Sequence, residues 1–414
     1  MQRPRARVVD VRIVLLNQYY APAEAATAQL LSEVGEDLAR AGHQVSAVCS
    51  RRSYPDPSIV YPARETIGQV SVYRTWTTGF GRFSSLGRLI DYAGFLLGAG
   101  RILALERRID VVVSLTTPPM VATLGLALSR LRAASAVSWV MDVYPQLACE
   151  LGVLGRRSLV TRLLDRLGRY TLNRSDGVIA LGETMAEKLH ALSAERVTVI
   201  HNWADGRAIR PCPVQDNELR TARGWKDRFV ILYSGNLGLA HEFDTVLGAA
   251  ELLRDERRFL FAFVGEGPRL NEVRQEVARR ALPNVEFLPH VSRDDLGRSL
   301  TSGDVHLVTL REGLAGLLVS SKIYGILAAG RPTLYVGPQA GEIPRILREG
   351  SCGTRLGIGD RAALAAAIRR YDSEEPYRMD EGRRARELFE ARFTKERGLR
   401  AHRRLIESMD RITE

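Results

Sequence analysis

Residues 319–332 read VSSKIYGILAAGRP, a helix start with Ser320 and Ser321 ahead of Lys322 in the first turn. Helix N-termini attract anions, because their unpaired N–H groups and the helix dipole both present positive charge. The stretch Ser234-Gly235-Asn236-Leu237-Gly238 follows the apolar run FVILY, and its small residues would let backbone N–H groups approach phosphate oxygens closely. An ordinary strand-to-helix turn has the same composition, so the loop alone does not decide. Asp142, after AVSWVM and before Tyr144-Pro145, is either a strand-end carboxylate placed to meet a hydroxyl or a turn-forming residue before an extended Tyr-Pro segment.

These residues need a scaffold, and the chain supplies the pattern of one twice. In the first half, VRIVLL, QVSAVCS, QVSVYRT, DVVVSL, AVSWVMD and DGVIAL are strand-like runs. Helical segments are expected over 27–41, ending at Gly42, near 86–107 and over 119–131. RVTVIHNWAD closes this half and leads into RPCPVQD, which reads as a linker. The second half restarts with FVILYSGNLG, FLFAFVGEG, NVEFLPH, VHLVTL and PTLYVG. Alternation of this kind specifies α/β units with parallel sheets covered on both faces. Two doubly wound Rossmann-like domains are therefore expected, 1–208 and 209–382, facing each other across a cleft, with a charged helical segment, 383–414, packing back across the hinge. Ligands of open α/β sheets bind outside the carboxyl ends of the strands.

The 414 residues suffice for two cores, and 45% hydrophobic with 26% charged residues is a globular composition. Cys49, Cys149, Cys212 and Cys352 form no CxxC pair, which argues against a zinc site or disulfide framework and fits a reducing cytoplasm. No signal peptide or membrane span is expected: the first apolar run is a short strand, and the uncharged stretch 111–129 is broken by Pro118-Pro119. Of the net charge of +11, residues 1–208 carry +7 (25 Lys/Arg against 18 Asp/Glu), and this excess concentrates in GRRSLVTRLLDRLGRYTLNR, residues 155–174, where leucines at helical spacing lie beside Arg157, Arg162, Arg166 and Arg169. That segment is either a surface helix with an apolar core face or a membrane-surface helix meeting anionic headgroups. Residues 82–108 offer a second apolar-basic surface. Basic residues are not interleaved with aromatics, so nucleic acid is not an expected partner.

The ordered set YSGNLGLAHEFDTVLGAAELL, FVGEGPRLNEV, NVEFLPHV, REGLAG…SKIYGILAAGRP and GEIPRIL resembles the family-4 glycosyltransferases of the GT-B fold. LLNQYYAPAEAATAQLLSEVGEDLARAGHQVSAVCS and MDVYPQLACELGVLG look like the branch that builds bacterial surface polysaccharides. The resemblance implies a retaining hexosyl or N-acetylhexosaminyl transferase. Its donor would be a nucleotide-diphosphate sugar, UDP-sugar favoured, with uridine and guanosine not separated. Its acceptor would be a polyprenyl-diphosphate-linked sugar at the cytoplasmic membrane face, or a small soluble glycan.

On the donor side, many relatives place an arginine and a lysine shortly after the glycine loop; this chain has LGLAHEFDT there. Lys322 is expected to supply the missing cation, with Ser320 and Ser321 capping the helix or contacting phosphate, and with Arg331 as a further contributor. Glu312 matches the first glutamate of the family's Glu-x7-Glu pattern, but, counting back from AAGRP, Gly325 stands at the second, and the loop between them is longer than usual. Glu342 is the candidate replacement for hydrogen bonding to ribose, since a carboxylate accepts two such bonds; the alternative role is a helix cap. The base is expected near Gly265-Glu266-Gly267 and residues 288–291. No DxD metal motif occupies the expected place, and Asp294-Asp295 reads as a helix start, so neither a metal nor any other cofactor is expected.

On the acceptor side, Tyr19, Tyr20 and Glu24 follow the first strand, with Asp142 the expected catalytic carboxylate and Glu150 a weaker alternative. Tyr19, Tyr20 and Trp139 also read as packing residues. Two other functions fit the same architecture: a nucleotide-sugar epimerase, for which no acid-base pair is evident, and a non-catalytic sugar-nucleotide binder.

Overall fold

The structure is a computed structural model describing residues 11–53, 56, 58–80, 85–106 and 108–410. The chain forms two compact units, one reaching to Ile200 and taking in the residues from Leu399 onward, the other spanning His201–Gly398. The first contains β1 (Arg12–Leu16), α1 (Ala26–Arg40), β2 (Gln44–Ser50), β3 (Arg64–Ile67), β4 (Val70–Thr75) and α2 (Ser85–Leu105). It continues through β5 (Val111–Ser114), α3 (Val121–Leu131), β6 (Ser135–Trp139), α4 (Gln146–Glu150), α5 (Leu159–Arg174), β7 (Gly177–Ala180), α6 (Glu183–Ala191) and β8 (Val197–Val199). The strands lie in the order β3-β4-β2-β1-β5-β6-β7-β8. Only the β3–β4 pair is antiparallel. Val111–Ser114 and Gly177–Ala180 are buried throughout, as strands covered on both faces must be.

The second unit contains α7 (Glu218–Arg223), β9 (Phe229–Ser234), α8 (Asp244–Leu252), β10 (Phe259–Val264), α9 (Leu270–Arg279), β11 (Val285–Leu288), α10 (Leu296–Thr301) and β12 (Val305–Thr309). After these come α11 (Lys322–Ala328), β13 (Thr333–Val336), α12 (Glu342–Gly350), β14 (Gly353–Leu356), α13 (Arg361–Ser373), α14 (Glu375–Arg392) and α15 (Lys395–Asp410), which runs on into the first unit. Its all-parallel sheet has the order β11-β10-β9-β12-β13-β14. The order reverses between β9 and β12, so the loops leaving those two strands flank the switch point where such sheets bind ligands. Phe229, Phe243, Phe259, Phe261 and Phe263 build the core on one face of this sheet. β14, which is not among the strand-like runs of the sequence, is a half-exposed edge strand whose GTRL carries no apolar run.

The boundaries differ from those the sequence suggests. The division falls at Ile200, ahead of the Pro-rich segment, because residues 201–210 are tied to α14 and the chain after it. His201 meets Phe393 edge-on at 5.2 Å, Arg386 Nη1 donates to the Ile209 carbonyl at 2.9 Å, and Trp203 lies against Gly398. The segment after residue 382 is shared between the units: α14 belongs to the second, while His402 packs on Trp139 of the first at 4.2 Å.

The helix in the basic stretch, α5, also departs from the core-face reading. Its buried residues are Thr161 and Thr171, and Thr171 bonds Thr123 of α3 at 2.8 Å. Three of the leucines point outward: Leu159 is 80% exposed, Leu163 59% and Leu167 36%, while Leu164 is half-buried. Small residues let this face pack closely, leaving a leucine stripe in water beside Arg162 and Arg166, both exposed. The second apolar-basic surface falls partly outside the described residues; within α2, Leu89, Leu97 and Leu105 are exposed.

Beneath the second sheet, Arg220 of α7 donates from Nη1 to Asp304 Oδ2 at 2.7 Å and to the Ser302 carbonyl at 3.0 Å. The same carboxylate oxygen accepts the Val230 amide of β9 at 2.7 Å, and all three residues are buried. Removing one member strands a buried charge. Asp304→Ala should therefore destabilise the second unit by about 3 kcal/mol or more, read from urea unfolding followed by fluorescence of the buried Trp225; a loss too small to resolve would show that the pair is not a keystone.

Candidate functional site

At the switch point, two glycine loops nest. Gly235 (φ +124°) and Gly265 (φ +136°) end β9 and β10 in conformations that side chains rarely adopt. A Cβ on Gly265 would lie 2.4 Å from the Gly235 carbonyl oxygen, and one on Gly267 would lie 2.3 Å from Asn236 Oδ1. Glycine is required there by contact as well as by φ. The amides of Gly235 and Leu237 donate to the carbonyls of Val264 and Glu266, at 2.8 and 2.7 Å. Those two N–H groups are already engaged within the fold, which narrows the phosphate-facing amides expected of this loop. Ser234 is half-buried, Asn236 exposed and Gly238 buried.

Lys322 reaches this loop from the other side of the switch point. Its Nζ lies 3.0 Å from His241 Nε2 and 3.4 Å from the Asn236 carbonyl oxygen, and sits 5.0 Å from the centre of the Tyr233 ring. Its Cε would be 3.0 Å from a Cβ on Gly235, so glycine there makes room for the lysine as well. Burial lowers the Lys322 pKa to about 8. His241 is buried, and its Nδ1 lies 2.8 Å from the Thr309 carbonyl at the end of β12. A carbonyl can only accept, so Nδ1 carries the proton and Nε2 offers its lone pair to the ammonium. Burial first, and then the Lys322 charge, pulls His241 down to about 3, which keeps it neutral.

The sequence reading found the lysine and missed the histidine. The signal was a histidine a few residues past the glycine loop, in the window read only for arginine and lysine. Arg311 was missed too: its amide donates to the Ala240 carbonyl at 2.9 Å and its Nη1 to that of Leu239 at 3.2 Å. Arg269 donates to the His241 carbonyl and forms an ion pair with Glu272 at 2.5 Å.

The remaining donor-side candidates divide. Glu312 is exposed on a turn whose next residue, Gly313, has φ +80°. Ser321 occupies the N-cap position of α11 but makes no capping bond with its side chain, and Ser320 is buried one residue earlier. The capping role is thus absent for Ser321, and α11 has only seven residues, so little dipole stands behind the lysine. Arg331 is also corrected: its guanidinium is buried and donates to the carbonyls of Cys212 and Thr301, at 2.6 and 2.8 Å, as a structural clamp. Glu342 opens α12, buried, with Oε1 2.7 Å from Arg345 Nη2 and 3.8 Å from His201 Nδ1. A ribose would have to share that carboxylate with Arg345.

A groove of about 430 Å³ opens at the ends of β10 and β11, lined by Gly265, Glu266, Gly267, Arg274, Phe287 and Pro289 among others. Phe287 is half-buried, with the Arg274 guanidinium 5.3 Å from its ring centre. This is an apolar plate with polar groups at its rim. Asp295 precedes α10 and bonds Ser292 at 2.8 Å, as a turn residue. Among the described residues, no cluster of three or more His, Cys, Asp or Glu is arranged to hold a metal.

In the first unit, Asp142 is half-buried after β6, with its amide 3.3 Å from Thr116 Oγ1. Burial raises its pKa to about 6. Ionisation therefore costs the fold stability as pH rises from the unfolded value through 6, and at neutral pH the group is mostly a carboxylate. Glu24 is exposed and Tyr19 half-buried. Tyr20 is buried, with its hydroxyl 2.8 Å from where a Cβ on Gly35 would stand, so it is a core residue and leaves the acceptor-side set. Trp139 is likewise buried, and Glu150 is paired with Arg156 at 2.6 Å.

Comparison with known proteins agrees with this architecture. Residues 25–203 match a family model described as a glycosyl transferase 4-like domain, and residues 228–372 one described as glycosyl transferases group 1. The probable glycosyltransferase WbjE of Pseudomonas aeruginosa is 31% identical over 296 residues, covering 69% of this chain and 72% of that protein. The putative colanic acid biosynthesis glycosyl transferase WcaI of Escherichia coli (strain K12) is 28% identical over 339 residues, covering 77% and 82%. Among solved structures, Anabaena Alr3699/HepE in complex with UDP superposes with a TM-score of 0.72 at 16% identity, over 96% of this chain and 100% of that one. That last likeness is one of fold alone. With both halves matched to glycosyltransferase domains and a relative of 31% identity aligned over most of its length, the chain belongs to the family-4 glycosyltransferases of the GT-B fold.

Proposed function

We propose that this glycosyltransferase binds the diphosphate of a nucleotide sugar, UDP-sugar favoured, at the β9–β12 switch point, with Lys322 as its principal cation. The observation that carries the reading is the Lys322 ammonium, half-withdrawn from water beside two glycine loops, whose hydrogen-bond partners among the described residues are a backbone carbonyl and an imidazole rather than a carboxylate. Charge stabilisation of a departing diphosphate is most of what such a transfer requires. The groove at Phe287 suits a planar base, and Glu312, exposed on its turn, suits the transferred sugar. Glu342 is kept as the ribose contact, shared with Arg345. The HepE complexes with UDP and UDP-glucose support a uridine donor.

The transfer is retaining and proceeds on one face of the sugar. The bond from the anomeric carbon to the acceptor oxygen forms as its bond to the phosphate oxygen breaks, and the acceptor proton passes to that phosphate oxygen. Lys322 meets the developing charge without a metal ion. Asp142, mostly ionised at neutral pH, is kept as the carboxylate that orients the acceptor hydroxyl. WcaI's assignment to colanic acid biosynthesis supports a role in surface polysaccharide assembly. The acceptor proposed is a polyprenyl-diphosphate-linked sugar, reached from the inner face of the plasma membrane. Exposed leucines on α5 beside exposed arginines support that placement, since apolar burial and attraction to anionic lipid add on such a helix.

Three measurements test this reading. Lys322→Ala should keep the fold and lose sugar transfer by roughly a hundredfold or more, on the scale of removing one preorganised charge donor, and should abolish thermal stabilisation by UDP or GDP; near-normal turnover would remove Lys322 from the mechanism. Turnover should persist in excess EDTA, and a complete loss restored by Mg²⁺ would contradict the metal-free route. Vesicles containing anionic lipid should bind the wild-type protein and lose a variant with Arg157, Arg162, Arg166 and Arg169 made neutral; equal binding by both would favour a soluble acceptor.

A further inference from the structure

An ammonium has three N–H donors. For Lys322 one points to His241 Nε2 at 3.0 Å and one to the Asn236 carbonyl at 3.4 Å, which leaves the third for a ligand. Lysine is a flexible point charge, and it aims well only where its surroundings restrict it. Here the restriction comes from a relay: the Thr309 carbonyl fixes the His241 tautomer, and the tautomer turns a lone pair toward Nζ.

We propose that His241 is a positioning residue for sugar transfer, acting as a neutral acceptor that holds the Lys322 ammonium in register with the donor diphosphate. This rests on the reading of Lys322 as the diphosphate cation. The charged and titratable groups around the pair define what the imidazole must be. Arg269 lies beside it, donating to the His241 carbonyl and paired with Glu272. Arg311 holds the Leu239 carbonyl. Tyr233 underlies Lys322, its hydroxyl donating to the Asn236 carbonyl at 2.8 Å. Glu242 is turned away to accept the Thr245 amide at 2.9 Å. With cations on two sides and burial around it, a protonated imidazole is excluded, in line with the depressed His241 pKa. The imidazole accepts from the ammonium without competing for the phosphate, whereas a carboxylate in its place would neutralise the very charge the donor needs.

Two amide variants of the full-length chain separate this role from packing. In His241→Gln the amide oxygen reaches the Nε2 position and can still accept from Lys322. In His241→Asn the amide sits near Nδ1, so it can keep the Thr309 bond but not reach Nζ. UDP and GDP affinity, measured by calorimetry from pH 6 to 9.5, should fall in the wild type as Lys322 loses its proton. His241→Gln should stay close to that curve. His241→Asn should bind about tenfold more weakly at neutral pH, the cost of one hydrogen bond to a charged group. Its falling limb should also move to lower pH, because the charged lysine has lost a stabilising acceptor. Superimposable curves for Gln and Asn would overturn the His241 role while Lys322→Ala, run in parallel, still abolished binding. Unchanged binding by Lys322→Ala would instead overturn the diphosphate reading on which the role rests.

Discussion

A cation held partly out of water beside other cations needs neighbours that accept hydrogen bonds without adding charge. Lys322 meets that constraint with two acceptors, a backbone carbonyl and an imidazole locked neutral by a second carbonyl. Much of the local architecture follows from it. Gly235 lacks a side chain because Lys322 Cε occupies the space, Tyr233 lies beneath the ammonium with its own hydroxyl committed, and β12 ends at the carbonyl that sets the tautomer. Burial lowers the lysine pKa, and a diphosphate bound there, as proposed, would raise it again.

The parallel sheet makes this possible. Where the strand order reverses between β9 and β12, consecutive loops diverge and leave room between them, so groups far apart in sequence converge there. Lys322 and His241 are such a pair. Below the sheet the polar groups do different work: Arg220, Asp304 and Arg331 are spent on one another and on backbone carbonyls, which fixes the strands from which the site loops depart. Arginine at the far side of α11 is structural for the same reason that lysine at its start is available: one faces a ring of carbonyls, the other a glycine loop.

The first unit shows how a period-3.6 pattern can mislead. The leucines of α5 have the spacing of a core face, yet the buried residues are threonines, and Leu159, Leu163 and Leu167 lie outside with the arginines. Helical spacing shows that apolar residues share a stripe, but which stripe meets the protein depends on the closeness of approach. Thr161 and Thr171 permit an approach that leucine would block. The consequence is a surface with apolar and basic groups side by side, which water alone does not explain.

The two-sheet architecture was legible in the sequence because buried parallel strands read as continuous apolar runs, and FLFAFV or VVVS have few other uses. The glycine loop and Lys322 were legible as well, since glycine at a strand end and lysine at a helix start each carry local meaning. Tertiary structure decided the rest: that His241 is the lysine's partner, that Arg331 and Tyr20 are interior, that Glu342 is shared with Arg345, and that residues 201–208 belong with the second unit. Apart from the Glu342–Arg345 pair, three residues apart on α12, each of these depends on which groups distant in sequence are brought within hydrogen-bonding or packing distance. Composition and periodicity describe a residue's own element; its partners are fixed only when the elements pack.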